Sequence, residues 1–163
     1  MNIYLVQHGK QVSKEEDPDK PLSNQGKEEV KGMASFLMRA RIKVDDIFHS
    51  GKTRAMETAE IMTSGLSPDK KPVRKKGLSP LDDVNTIAKE IKQGQKDLMI
   101  VGHLPHLARL TSLLITGSDS NAVVDFQQGG VLCLKYSDKE KIWSIAWMLV
   151  PEIIKSNHAL NLG

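Results

Sequence analysis

Two short, unbroken apolar runs, Ile3–Val6 and Leu98–Val101, each lead directly into a histidine. They read Ile-Tyr-Leu-Val-Gln7-His8-Gly9 and Leu-Met-Ile-Val-Gly102-His103. Runs without polar alternation suit strands buried on both faces, as in a parallel sheet covered by helices. A third short strand is expected over residues 45–50 and a minor one from Val73. Between the strands, the sequence predicts helices over 24–40, 52–64, 83–92 and 104–116. In the first, Val30, Met33, Ala34 and Leu37 recur at the spacing of one buried face, behind Ser23 as N-cap. Ser50 is expected to cap the second, Gly94 to close the third, and Pro105 to sit early in the fourth. Residues 130–136 and 142–150 flank a turn and read as an antiparallel hairpin. On that last strand Trp143 and Trp147 are four apart, which predicts one shared face.

The alternation gives a three-layer α/β/α domain with a mainly parallel central sheet and an antiparallel C-terminal strand. One domain is expected over residues 1–155, with 156–163 as a C-terminal tail. A length of 163 residues is enough for one such core. The net charge of +3 fits a small anionic substrate but is too weak to argue for nucleic acid. Cys133 is the single cysteine, so no disulfide forms within the chain. No apolar run is long enough to span a membrane, and the first residues lack the features of a signal peptide. A cytoplasmic protein is the expectation.

Ligands of parallel sheets bind beyond the carboxyl ends of the strands. His8 and His103 stand at two such ends. Arg54 falls in the first turn of the helix that follows a third. Two imidazoles and a guanidinium without an obvious carboxylate partner suit a dianion, and phosphoryl oxygens match guanidinium bidentately. Gly51-Lys52-Thr53 is not a nucleotide phosphate loop, because Asp46 stands where that motif needs its first glycine. His103 and His106 have a spacing compatible with a shared metal, but the proline between them favours a rim or capping role for His106. His49 lies within a strand and reads as structural.

The chain resembles the histidine phosphatase superfamily, the group related to phosphoglycerate mutases, and in particular its short bacterial phosphohistidine phosphatases of the SixA type. The resemblance is carried by Gln7-His8-Gly9, in place of Arg-His-Gly, and by Pro21 to Gly26. It continues in Ser50-Gly51-Lys52-Thr53-Arg54-Ala55-Met56-Glu57-Thr58-Ala59, in place of Ser-Pro-x-x-Arg-Ala-x-Gln-Thr-Ala, in Val101 to Pro105, and in the glycine-containing turn 126–131. It implies that His8 attacks phosphorus and forms a transient phosphohistidine that water hydrolyses. It implies that His103 and Arg54 stabilise the transferring oxygens, that Gln7 and Gly9 also line the phosphate site, and that no metal or cofactor is needed. The implied partner is a phosphohistidine-bearing protein or a small phosphorylated substrate.

Gln7 brings neither the charge nor the fork of the arginine it replaces. Either Lys10 or Lys52 supplies that charge, or the chain is a weak enzyme or a phosphate-binding module. Asp82 lies where longer relatives place a general acid, and would be needed for a small phosphomonoester. It also reads, with Asp83, as a carboxylate at a helix start. A phosphohistidine substrate removes the need for a general acid, because protonated imidazole is a good leaving group.

Overall fold

Ile3, Leu5 and Val6 are fully buried and Tyr4 almost so, because β1 (Asn2–Gln7) runs through the interior of a sheet with helices on both sides. The computed structural model describes residues 1–67 and 69–160, with side chains to Lys155. After β1 come α1 (Asn24–Arg39), β2 (Asp46–His49), α2 (Thr53–Leu66), β3 (Val73–Arg74) and α3 (Val84–Gly94). Then follow β4 (Leu98–Gly102), α4 (His106–Thr116), β5 (Val131–Ser137), β6 (Ile142–Leu149) and α5 (Pro151–Leu160). The strands form one sheet in the order β3-β2-β4-β1-β5-β6. The first four positions of that order pair in parallel, while β5 is antiparallel to both β1 and β6.

Side-chain alternation divides the core into two layers. Ile3, Leu5, Leu98 and Ile100 face α3 and α4, where they meet Ile87, Ile91, Leu107 and Leu110. Tyr4, Val6, Met99 and Val101 face α1 and α2, against Val30, Met33, Leu37 and Met62. Burying each large aliphatic side chain contributes roughly 1.5–3 kcal/mol. In α1 that outweighs the cost of Gly32 in mid-helix, about 1 kcal/mol. Ser23 caps α1 as expected, its Oγ accepting from the Gly26 N–H at 3.0 Å. Asp83 caps α3 through the Asn85 N–H at 3.0 Å.

Several local expectations are corrected. Trp143 and Trp147 lie on opposite faces, with Trp143 in the α3/α4 layer and Trp147 against Tyr4 in the other. A β-bulge causes this: Leu134 pairs with Ile145 but Cys133 pairs with Trp147, so Ala146 has no partner position and the alternation reverses. Gln95, in the left-handed region with φ of 47°, follows the end of α3, and Gly94 is the last helical residue. Pro105 is the N-cap of α4 rather than a residue of its first turn, and the Leu104–Pro105 peptide is cis. Helix α5 runs through the boundary at residue 155 where the tail was expected to begin, because Ile154 is buried against the α1/α2 layer. The rest of the expected tail, 161–163, lies outside the described residues. No helix among the described residues is long and apolar enough to cross a membrane.

The parallel register sets the positions of the site residues. Gln7 lies opposite Gly102 and His49 opposite Val101, so β1, β2 and β4 end at one edge of the sheet. The residues that follow them are His8, Ser50 and His103.

Candidate active site

His8 and His103 face each other with ring centroids 5.0 Å apart. Both are buried, at 6% and 2% exposure, although they stand at the sheet edge. The His8 Nδ1–H donates to the Gly9 carbonyl at 2.8 Å, a tautomer assigned from the hydrogen-bond network. That leaves the lone pair on Nε2, where the Arg54 Nε–H approaches at 3.2 Å. Burial above all, with the Arg54 charge adding to it, lowers the His8 pKa to about 4. His8 is therefore neutral at neutral pH, with one fixed nitrogen available as a nucleophile.

His103 is set differently. Its Nε2 lies 2.6 Å from the Ser50 Oγ. That oxygen also accepts the Lys52 N–H at 3.4 Å and, with His103 in the tautomer protonated at Nδ1, donates its own proton to Nε2. In that tautomer the imidazole proton resides on Nδ1, which is buried and has no hydrogen-bond partner among the described residues. Burial, and next the neighbouring His8, Arg54 and Lys52, bring its pKa down to about 3. A neutral ring with a proton at Nδ1 can donate to an anion without carrying a charge of its own.

Thr58, fully buried in α2, couples the two sides of the site. Its Oγ1 accepts the Gly9 N–H at 3.0 Å and donates to the Arg54 carbonyl at 2.7 Å. One hydroxyl thus fixes both Gly9, whose carbonyl holds the His8 tautomer, and the turn that carries Arg54. From the other side, the Gly129 N–H lies between the carbonyls of Gln7 and His8, at 3.0 and 3.2 Å. Gly129 has a φ of +76°, so a side chain there would be strained.

Of the expected site residues, His8, Gly9, Arg54 and His103 come together. Gln7 ends β1 beside them, with its Oε1 buried and without a hydrogen-bond partner among the described residues. Lys10 is held elsewhere: its Nζ pairs with Glu29 at 2.9 Å, and Lys155 from α5 pairs with the same carboxylate oxygen at 2.7 Å. Lys52 is the N-cap residue of α2, exposed, between Ser50 and Arg54. Asp82 accepts the Ser79 N–H at 2.8 Å and closes the turn before α3, where its charge acts on His106. His49 is buried and accepts the Gly51 N–H at 3.2 Å, a structural role. His106 is fully buried, and among the described residues no group of three His, Cys, Asp or Glu is placed to hold a metal.

Sequence reasoning missed Ser50 and Thr58 as parts of this site. Ser50 was expected to cap α2, yet α2 has no side-chain cap, and the hydroxyl turns to His103 instead. Both residues lie in the segment from Ser50 to Ala59 that resembles the family's Ser-Pro-x-x-Arg-Ala-x-Gln-Thr-Ala, which was the available signal. That segment also departs from the family in its backbone. Gly51, where the motif has proline, adopts a φ of +87°, which proline cannot reach.

Comparison with known proteins gives a consistent picture. Residues 3–82, which include His8 and Arg54, match the family model of the histidine phosphatase superfamily (branch 1). A protein of Picosynechococcus sp. (strain ATCC 27264 / PCC 7002 / PR-6), described as uncharacterized, is 25% identical over 143 residues, covering 83% of this chain and 85% of that one. The fold is shared with the protein histidine phosphatase SixA in its tungstate complex, at a TM-score of 0.81 and 21% identity, covering 94% of this chain and 99% of that one. It is shared also with the α-ribazole phosphatase of Shigella flexneri, at a TM-score of 0.70 and 14% identity, covering 93% and 97%. A phosphoserine phosphatase of Entamoeba histolytica, bound to 3-phosphoglyceric acid, aligns at a TM-score of 0.68 and 13% identity, covering 90% and 95%.

Proposed function

We propose that this chain, which belongs to the histidine phosphatase superfamily, hydrolyses protein phosphohistidine through a covalent intermediate on His8. One observation carries the reading: the His8 Nδ1–H is held by the Gly9 carbonyl, so Nε2 has its lone pair free for phosphorus. In the first step the Nε2–P bond forms and the P–N bond to the substrate imidazole breaks. The substrate reacts as its phosphoimidazolium form, with a proton on the other ring nitrogen, so the leaving imidazole departs neutral. In the second step water adds to phosphorus, the bond to His8 breaks, and inorganic phosphate leaves. Arg54 and the His103 Nδ1–H stabilise the equatorial oxygens in both steps.

The preference for phosphohistidine over a phosphomonoester rests on the proton supply. An alkoxide leaving group needs a donor. The Asp82 carboxylate is engaged by the Ser79 amide in the turn before α3, and the group its charge acts on is His106, not the reacting pair. Among the proteins of like fold are SixA, which is named for protein histidine phosphatase activity, and enzymes named for α-ribazole and phosphoserine. The discriminating experiment compares turnover of a phosphohistidine protein, an aryl phosphate and phosphoserine. The expected order places the phosphohistidine protein well above the others. A base-stable, acid-labile label should be trapped on His8 and be absent from His8→Ala. Turnover of all three no higher than that variant, or a label at another residue, overturns the proposal.

A further inference from the structure

The cation missing at Gln7 has two sequence candidates as replacements, and the structure treats them differently. Lys10 is committed to Glu29, whose side chain is fully buried. Swinging Lys10 toward a phosphate would leave that carboxylate with Lys155 and Gln25, and its second oxygen has no partner among the described residues. Lys10 would give up that ion pair on turning to phosphate, whereas Lys52 has none to give up, and even a loss of about 1 kcal/mol favours Lys52. Two further cations are similarly engaged: Lys75 pairs with Glu90, and Arg109 with Asp119. Arg74 packs against the Gly51 turn, with its Nε 2.5 Å from where a Cβ would stand, and the group it acts on is His49.

Lys52 is in the opposite situation. It is exposed and has no carboxylate partner among the described residues. The two residues that flank it at a distance of two are Ser50, which touches His103, and Arg54, which touches His8. The backbone that leads into it is held at two points, by Arg74 over Gly51 and by the Ser50 Oγ on the Lys52 N–H. Its charge reaches His103, as the third electrostatic cause lowering that imidazole. It also precedes the first amides of a 14-residue helix, the end that favours anions.

We infer that Lys52 completes the phosphate pocket, binding the phosphoryl group with the positive charge that Gln7 does not carry. This rests on the phosphatase reading above but concerns binding, so the two can fail separately. The glycine at position 51 belongs to the same device. A φ of +87° with Arg74 flat against it fixes the turn from which Lys52 projects.

The test titrates inorganic phosphate calorimetrically at mildly alkaline pH, where phosphate is the dianion. The proteins are the unmodified chain, Lys52→Ala, Lys52→Arg, Lys10→Ala and Lys52→Ala combined with Gln7→Arg. Lys52→Ala should bind phosphate roughly tenfold more weakly, the loss expected for one charge-assisted contact. Lys52→Arg should keep the affinity, and Gln7→Arg should restore it in the alanine background, since one cation replaces another. Turnover of the phosphohistidine protein should show the loss chiefly in KM. Affinity unchanged in Lys52→Ala, failure of both restoring variants, or a loss confined to Lys10→Ala overturns the assignment. No binding to the unmodified chain overturns it as well. A His8→Ala variant that turns over normally but binds phosphate through Lys52 would sink the phosphatase mechanism and leave this inference standing.

Discussion

At the scale of single residues, the site works through hydroxyls that the reaction itself does not consume. Thr58 joins the Gly9 amide to the Arg54 carbonyl, so it positions His8, the proposed nucleophile, and Arg54 together. Thr58→Val keeps the shape but leaves the Gly9 N–H buried without an acceptor. An orphaned buried donor costs about 1–3 kcal/mol. The variant should therefore show a lower urea midpoint and a reduced kcat, with KM less affected because Arg54 still carries its charge. Thr58→Ser should recover both, and a serine variant as impaired as the valine would rule out the hydroxyl as the cause. The histidines and Arg54 were legible in the sequence because their chemistry is uncommon at strand ends. Ser50 and Thr58 were not, since a serine before a helix reads equally well as a cap and a threonine within one reads as packing. Only the approach of β4 to β2 brings His103 within reach of Ser50.

At the scale of elements, α5 is joined to the chain just beyond β1, at the edge that carries the two histidines, through charge as well as apolar contact. Glu29 of α1 accepts from Lys155 of α5, from Lys10 just beyond β1, and from Gln25. Burial pushes the Glu29 carboxyl up, but these donors outweigh it and hold the group below its ordinary value. Either lysine alone leaves one counter-charge, and both are partly exposed, so each single alanine variant should cost about 1 kcal/mol or less. Removing both strands a buried carboxylate, a loss on the order of 3–5 kcal/mol. The prediction is a strongly non-additive double-mutant cycle in chemical unfolding; additive losses would show that the two lysines act independently. Nothing in the linear pattern announced this junction. The helices α1 to α4 and the strands β1 and β4 were readable from local spacing. The bulge at Ala146 and the helix after Pro151 were not, because partner strands and the α1 surface decide them.

At the scale of the whole molecule, the arrangement is a sheet whose open edge buries histidines without charging them. His8 and His103 have pKa values lowered to about 4 and about 3, with burial as the leading cause, and burial also lowers His49 and His106. Unfolded histidine titrates near 6.5. Between that value and the folded pKa the unfolded chain binds more protons than the native one, so stability rises with pH and is lost as pH falls. Each fully differing group contributes a slope of about 1.4 kcal/mol per pH unit. Glu29 does not confuse this window, because its lowered pKa puts its own loss below the ordinary carboxylate range. Urea unfolding between pH 6.5 and 5 should therefore weaken steadily, and His8→Asn with His103→Gln should flatten the slope. The same pKa values place the acid limb of kcat/KM near pH 4 rather than near 6.5, because His8 stays unprotonated until then. An acid limb at the ordinary histidine pKa, together with an unfolding slope unchanged by the double variant, would show that the pair titrates as solvated imidazoles. The neutral nucleophile deduced from the buried edge would then be wrong.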